Sequence, residues 1–537
     1  MTIPKNVSGL VASARVAILA AGVAAGLGAT ASAQGDEQPL IIARNLAVNS
    51  LDPARTSCDT CNIYMAAVYD TVVRLGQDNK TVEPGLAERW EVNGDSTVFT
   101  FHLNAKAVFA DGSPVEAKDV KWSWERLTNL QGGMSWLFEQ VKSIETPDSH
   151  TVVVTLSQPD SEFLGKVIAP YSGVVNSKVA SQHGAKTSKE EAATDTAEPW
   201  FLANSAGSGP YVLAAYAPDS ELRLKRNDHY WNKQADIGEV VIRQVKDSVA
   251  QAQSLMSGAV DIATEVSPDT AKTISAPDVT VQTVPSYQFL YLALSPGAKG
   301  NPPLSVPVRQ AIGYAIDYKK LIDFTIGGAG QLVPVAIPNG FPGADGLPAP
   351  EYNVKKAKEL LASAGLKDGF TMEAVFPNEN YYGVDMSTLM QFVQQELAKV
   401  SIQLQLKPVT FPVWLQTVKG EGTPLTASFY GPDYFGTDQY VRTFAMMPGT
   451  RWYTRSGAER VQGMANPKEK ELLDKALASP VDQRDKLYHE IAQLMIKDRV
   501  IIPLVGPNTV LAYNNKVEGM RYSVVALLPL QELRFKK

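Results

Sequence analysis

Leu425 to Tyr434 reads L-T-A-S-F-Y-G-P-D-Y. Its first part, with Phe429 and Tyr430, is a short apolar run that suits a buried strand. Gly431-Pro432 then stops the run, because glycine and proline are the strongest local punctuation a chain carries. An acid, Asp433, follows at once between two aromatics, Tyr430 and Tyr434. A carboxylate at the open end of a buried strand, walled by aromatic rings, is what a pocket needs to hold an ammonium or a polyol. The plainer reading of Asp433 is a turn residue, since Asp hydrogen-bonds its own backbone there. The rest of the chain bears on the choice.

The first residues address the protein. Lys5 and Arg15 are basic, Val16 to Ala29 carries no charge, and Ala31-Ser32-Ala33 precedes Gln34 as a small-x-small cleavage signal. That pattern is a secretory signal peptide over 1–33, too short in its apolar part to span a bilayer. No cysteine follows the cut, so no lipid anchor is expected there. The formal net charge of the 537 residues is −6, which speaks for solubility and against a nucleic-acid partner.

A chain of this length exceeds one hydrophobic core, so two or three packed domains are expected. Only two cysteines occur, Cys58 and Cys61, in S-C-D-T-C. In an oxidising compartment this spacing closes a small disulfide loop; free thiols or a redox motif are the alternatives. A zinc site would need two further ligands, and the five histidines are scattered, so no metal and no cofactor are expected.

Strands and helices are mixed. Ile41–Val48, Val98–Leu103, Thr151–Leu156, Tyr211–Ala214 and Ile402–Lys407 read as strands, the second and last by clean alternation. Helical spacing runs through Tyr64–Val72, Val120–Leu127 and Val308–Ile322. Asn353 caps a helix over Val354–Ala364, and Gly365 stops it. Ser387, Asn466 and Asp482 are expected to cap the helices that follow them. Ser181 to Glu198 is polar and poor in large apolar residues, a surface excursion.

Three stretches, in this order, carry a family resemblance. Tyr69–Arg126 contains Y-D-T-V-V-R-L, E-P-G-L-A-E-R-W-E-V, F-T-F-H-L and F-A-D-G-S-P-V-E-A-K-D-V-K-W-S-W-E-R. Gly207–Trp231 runs from G-S-G-P-Y-V-L to R-N-D-H-Y-W. Val308–Asp317 is V-R-Q-A-I-G-Y-A-I-D, followed by Y-N-V-K-K-A-K-E-L-L-A-S-A-G at 352–365. Together they resemble the extracytoplasmic solute-binding proteins of ABC importers, of the large peptide/nickel type (oligopeptide- and dipeptide-binding-like, family 5).

The resemblance implies an α/β, two-lobed periplasmic binding protein fold with an extra subdomain in the N-terminal lobe and a ligand cleft between lobes. The first lobe would use 34–80, 205–288 and 509–537, with the extra subdomain at 81–204. The second lobe would use 295–502, and the hinge crossings would be 289–294 and 503–508. The function implied is capture of a small organic solute in the periplasm of a Gram-negative bacterium and delivery to an ABC permease, by a monomer. A peptide or other amine-bearing compound leads; a sugar, opine or sugar-phosphate-like solute is the alternative.

In peptide-binding members an acid in a W-x-x-D-Y pattern holds the ligand's amino group. Y-G-P-D-Y fills that place here, so Asp433 would be the amine anchor, with Tyr430 where the tryptophan sits. Trp414 resembles an aromatic that walls a side-chain pocket, core packing being its plainer reading. Cys58, Asp59 and Thr60 fall where a first loop touches the ligand, Trp136 at the cleft edge and Tyr291 on the first crossing. Glu421 and Ala427 stand where oligopeptide binders carry carboxylate-pairing arginines. Arg442 and Arg451, or Tyr434, are left to line the site instead, unless the arginines are mere surface charges. A secreted hydrolase is the rival of another class, but H-E-x-x-H, G-x-S-x-G, a P-loop and G-x-G-x-x-G are all missing from the sequence.

Overall fold

A computed structural model of the chain describes residues 38–298, 302, 304–420 and 422–537. The segment 1–33, read above as a signal peptide, and Glu421 lie outside the described residues. Three sheets organise the rest. The first has seven strands in the order Val279–Val284, Thr509–Asn514, Ile262–Ala263, Leu40–Arg44, Glu239–Gln244, Glu221–Arg226 and Tyr211–Ala217. Leu40–Arg44 runs parallel to both its neighbours, and the remaining pairs are antiparallel.

The second sheet orders Gly330–Gln331, Ile501–Pro507, Phe289–Leu294, Leu425–Tyr430, Phe370–Pro377 and Ile402–Val409. Its centre is Phe289–Leu294, every residue of which is buried. A strand buried on both faces must be apolar throughout, and F-L-Y-L-A-L is nearly so. The third sheet is antiparallel, with Ala87–Val92, Val98–Leu103, Thr151–Leu156 and Val141–Asp148. Phe99, Phe101 and Leu103 point inward from it, as the alternation requires, onto Trp124 of helix Ala117–Asn129.

The chain passes between the first two sheets elsewhere than expected. The segments 289–294 and 503–508 are not bare crossings, because Phe289–Leu294 pairs on both sides and Ile501–Pro507 continues the same sheet. The passages are the short stretches 285–288 and 508, which no strand includes. Val308–Ile322 likewise divides. Helix Val306–Ala315 ends at Ile316, and Asp317 caps a new helix, Tyr318–Ile326, by accepting from the Lys320 N–H. Asp385, not Ser387, caps Met386–Ala398 by accepting from the Thr388 N–H. Neither Asn466 nor Asp482 accepts a cap bond: Asn466 donates to Asp498 instead, and Asp482 lies inside Val481–Asp498. No described helix is long and apolar enough to cross a membrane.

One apolar cluster runs from the third sheet into the second. Phe99, Trp124, Phe138 and Phe163 are continuous through it with Phe289, Tyr430, Tyr440, Phe444 and Trp452. The end of the Leu425–Tyr430 strand is therefore set on a packed aromatic bed.

Candidate functional site

Strand alternation sorts Leu425–Tyr430 into two faces. Leu425 and Ala427 turn toward helices Val306–Ala315 and Met386–Ala398. Tyr430 faces the other way, onto Phe289, Tyr440 and Phe444. Gly431 and Pro432 end the ladder, and Gly431 passes so close under Tyr382 that a Cβ there would lie 3.3 Å from the Tyr382 hydroxyl. The next turn is braced by Gln439, whose Oε1 accepts from the Asp433 N–H at 2.8 Å and whose Nε2 donates to the Gly436 carbonyl at 2.8 Å. Asp433 is thus fixed by its backbone, leaving its side chain free.

That side chain is half-buried and accepts one long hydrogen bond, from Tyr430 Oη at 3.4 Å. A carboxylate has about four acceptor positions, so most of its capacity is unspent. Burial pushes the Asp433 carboxyl up to about 6; Arg451 and the Tyr430 bond pull it down, and the charge of Asp59 adds to the rise. Asp59 comes from the opposite half of the fold, in the first turn of helix Asp59–Val68. Its side chain is open to water, yet the surrounding protein still raises its pKa, with Arg44 opposing and Glu265 adding. An acid both wetted and enclosed lines a cleft.

Tyrosines fill the space around the two acids. Burial, then the charges of Asp433 and Asp59, push the Tyr171 hydroxyl well above its ordinary value. Burial, then Asp59, Tyr522, Asp433 and Tyr381, do the same to Tyr382. Tyr440 and Tyr522 complete the group, the first in the field of Asp433 and the second in that of Asp59. Tyr382 holds a left-handed φ of 56° at the tip of the hairpin built from Asn380–Tyr381 and Val384–Asp385. A bulky residue in that region is strained.

The other expected residues divide. The Sγ atoms of Cys58 and Cys61 are 1.96 Å apart, at bonding distance, and the Cys58 carbonyl accepts from Tyr171 Oη at 3.4 Å. Thr60 is buried and spent, accepting from Arg44 Nε at 2.9 Å and donating to the Asn45 carbonyl. Tyr291 is buried beneath the site, with its hydroxyl accepting from Trp452 Nε1 at 3.1 Å. Trp414 packs with Val375 and Val418 and donates to Thr426 Oγ1 at 2.8 Å, and no described contact joins it to Asp433. Its position is that of a packing residue.

Tyr434 turns away from Asp433, donating its hydroxyl to Asp438. Trp136 lies against it, ring centres 5.8 Å apart. Arg442 is committed to Asp438 at 3.1 Å. Arg451, by contrast, is exposed and forms no hydrogen bond or ion pair, although its charge reaches Asp433. Arg455, one turn on, lies over the Trp452 ring at 5.5 Å, and burial lowers its pKa. The cleft therefore offers acids at Asp433 and Asp59, an unpaired guanidinium at Arg451 and tyrosine faces between them. Among the described residues no group of three or more His, Cys, Asp or Glu is arranged to hold a metal ion.

The profile described as "Bacterial extracellular solute-binding proteins, family 5 Middle" matches residues 81–450. The probable D,D-dipeptide-binding periplasmic protein DdpA of Escherichia coli K12 is 27% identical over 500 residues, covering 90% of this chain and 91% of that one. Among solved structures, the periplasmic binding protein DppA from Helicobacter pylori, in complex with the peptide STSA, superposes with a TM-score of 0.78 at 24% identity, covering 93% of this chain and 98% of that one. NikA from Brucella suis, in complex with Fe(III)-EDTA, gives 0.79 at 20% identity, over 93% and 100%.

Proposed function

We propose, from the premise that the chain belongs to the bacterial extracellular solute-binding proteins of family 5, that it captures a small amine-bearing organic solute, a short peptide first among them. It then delivers the solute unchanged to an ABC permease. The carrying observation is Asp433, a carboxylate with unspent acceptor capacity, half-buried among tyrosines and near an unpaired Arg451. Asp433 takes the ammonium and Arg451, with Arg455 behind it, takes the carboxylate. That complementarity fits a zwitterion with separated charges. A peptide is also what the names of the probable D,D-dipeptide-binding relative and of the STSA-bound neighbour attach to those proteins.

The proposal extends to location and form: export through the 1–33 leader, residence in the periplasm, and a monomer that exchanges its load with the permease. On this reading no bond is made or broken at the site. Calorimetric titration with Ala-Ala tests the reading: saturable one-site binding, with the peptide recovered intact, is expected. Hydrolysed peptide would make the protein an enzyme, and a flat titration with every free-amine di- and tripeptide would overturn the ligand class.

A further inference from the structure

Capture of one ammonium by Asp433 leaves the second carboxylate unexplained. Asp59 stands in the first turn of helix Asp59–Val68, where an acid favours the helix dipole. Yet the cap itself is made by Cys58, whose Sγ accepts from the Cys61 N–H at 3.0 Å. Asp59 forms no hydrogen bond and no ion pair. The nearby cation Arg44 does not answer it, being held by Thr60 at 2.9 Å, Thr264 at 3.2 Å and Glu265 at 3.2 Å. A wetted carboxylate thus stands unpaired at the start of a helix whose first turn is tied by the 58–61 sulfurs and by the bond from Tyr171 Oη to the Cys58 carbonyl.

A second observation is independent of the acids. Tyr440 is fully buried, and its hydroxyl has no hydrogen-bond partner. Tyr522 is 8% exposed, and its hydroxyl approaches the Tyr287 backbone but meets no partner in hydrogen-bonding geometry. Buried polar atoms are normally paired, and an exception calls for a missing group. Tyr440 lies within the field of Asp433 and Tyr522 within that of Asp59. Tyr382, strained at its backbone, lies between the two acids. Tyrosine faces and hydroxyls around paired carboxylates suit alkylammonium or guanidinium groups.

We infer that the solute carries two cationic centres, its ammonium at Asp433 and a lysine- or arginine-type side-chain cation at Asp59, so that the favoured class is basic di- and tripeptides. The inference rests on the amine-capture reading of Asp433 and adds the specificity. Arg451 answers the carboxylate of such a peptide, and each charge of the solute then has one counter-charge in the cleft.

Lys-Ala and norleucyl-Ala differ only in the side-chain ammonium, and their affinity ratio isolates the Asp59 contact. Wild-type protein is expected to bind Lys-Ala about tenfold or more tighter by calorimetry. Asp59→Asn should bring the ratio to near one, and Asp59→Glu should restore it, with melting curves reporting that each variant is folded. A wild-type ratio near one, or a preference that persists in Asp59→Asn, overturns the inference. Asp433→Asn separates the two readings: if it weakens both peptides while the wild type shows no lysine preference, amine capture stands and the Asp59 assignment falls. If neither peptide binds, both fall.

Discussion

At the scale of single residues, Asp433 ties function to cost. Its folded-state pKa is raised from the ordinary 3.8 to about 6, so the folded protein holds this proton more tightly than the unfolded chain does. Charged Asp433 therefore costs the ligand-free protein stability above pH 6, and the cost fades as pH falls from 6 toward 4. Ammonium binding runs the other way, because it needs the carboxylate. Affinity for Ala-Ala should be flat near neutrality and fall by up to about tenfold per pH unit below 6; calorimetry across this range checks it. Asp433→Asn should remove that pH dependence and weaken binding by about 2–5 kcal/mol, roughly 30- to several-thousand-fold. It should also raise the melting temperature of the ligand-free protein. A neutral polyhydroxylated solute would lose only about 1–3 kcal/mol on the same change. Unchanged affinity would return Asp433 to the role of a turn residue.

Elements hold that residue in place. The segment around helix Phe163–Ile168 is clamped to the chain after Asp433. Lys166 Nζ meets Asp160 at 2.5 Å and Asp438 at 3.0 Å, and Glu162 accepts from the backbone N–H groups of Thr437 and Asp438 and from Tyr488 Oη. Burial and the charge of Asp438 push Glu162 up to about 8. Burial works against the Asp438 carboxylate too, but Lys166 and Arg442 outweigh it and hold its pKa down. Lys166→Met strands the buried Asp160 and leaves Asp438 to Arg442 alone, and should cost about 3–5 kcal/mol in a denaturant melt; a wild-type melt would contradict the clamp. At the 58–61 loop, thiol titration of unreduced, denatured protein from an oxidising compartment should find no free thiol, and two would refute the bond.

Local pattern made much of this legible. Leu425–Tyr430, Val98–Leu103 and Ile402–Val409 were readable because their alternation or their bounding breakers are local facts. The break at Ile316 was not, since apolar spacing continues across it and only the Asp317 cap reveals two helices. The crossings were misplaced because an all-apolar six-residue run does not say which strands flank it. Asp433 was visible as an acid between aromatics after a chain break, whereas Asp59 and Arg451 were named only through the family resemblance. Tyr171, Tyr382, Tyr440 and Tyr522 belong to the same site only through packing between distant segments.

At the scale of the molecule, the site joins two halves linked at 285–288 and 508. The hairpin tip carrying Tyr382 crosses the cleft, and a Cβ on Gly383 would lie 2.9 Å from Pro268 of the first half. The two linkers are expected to act as hinges, so that the halves part to admit a solute and close on it. Solution scattering should give a smaller radius of gyration with saturating Lys-Ala than without it, and an unchanged radius would contradict hinge closure. The central expectation is that the half-buried Asp433 carboxylate reads a free amine. Calorimetric titration of the wild-type protein with Ala-Ala and with N-acetyl-Ala-Ala tests that claim most directly. It predicts one saturable site for the free peptide and binding at least about 30-fold weaker for the acetylated one. Equal affinity for the two would contradict it.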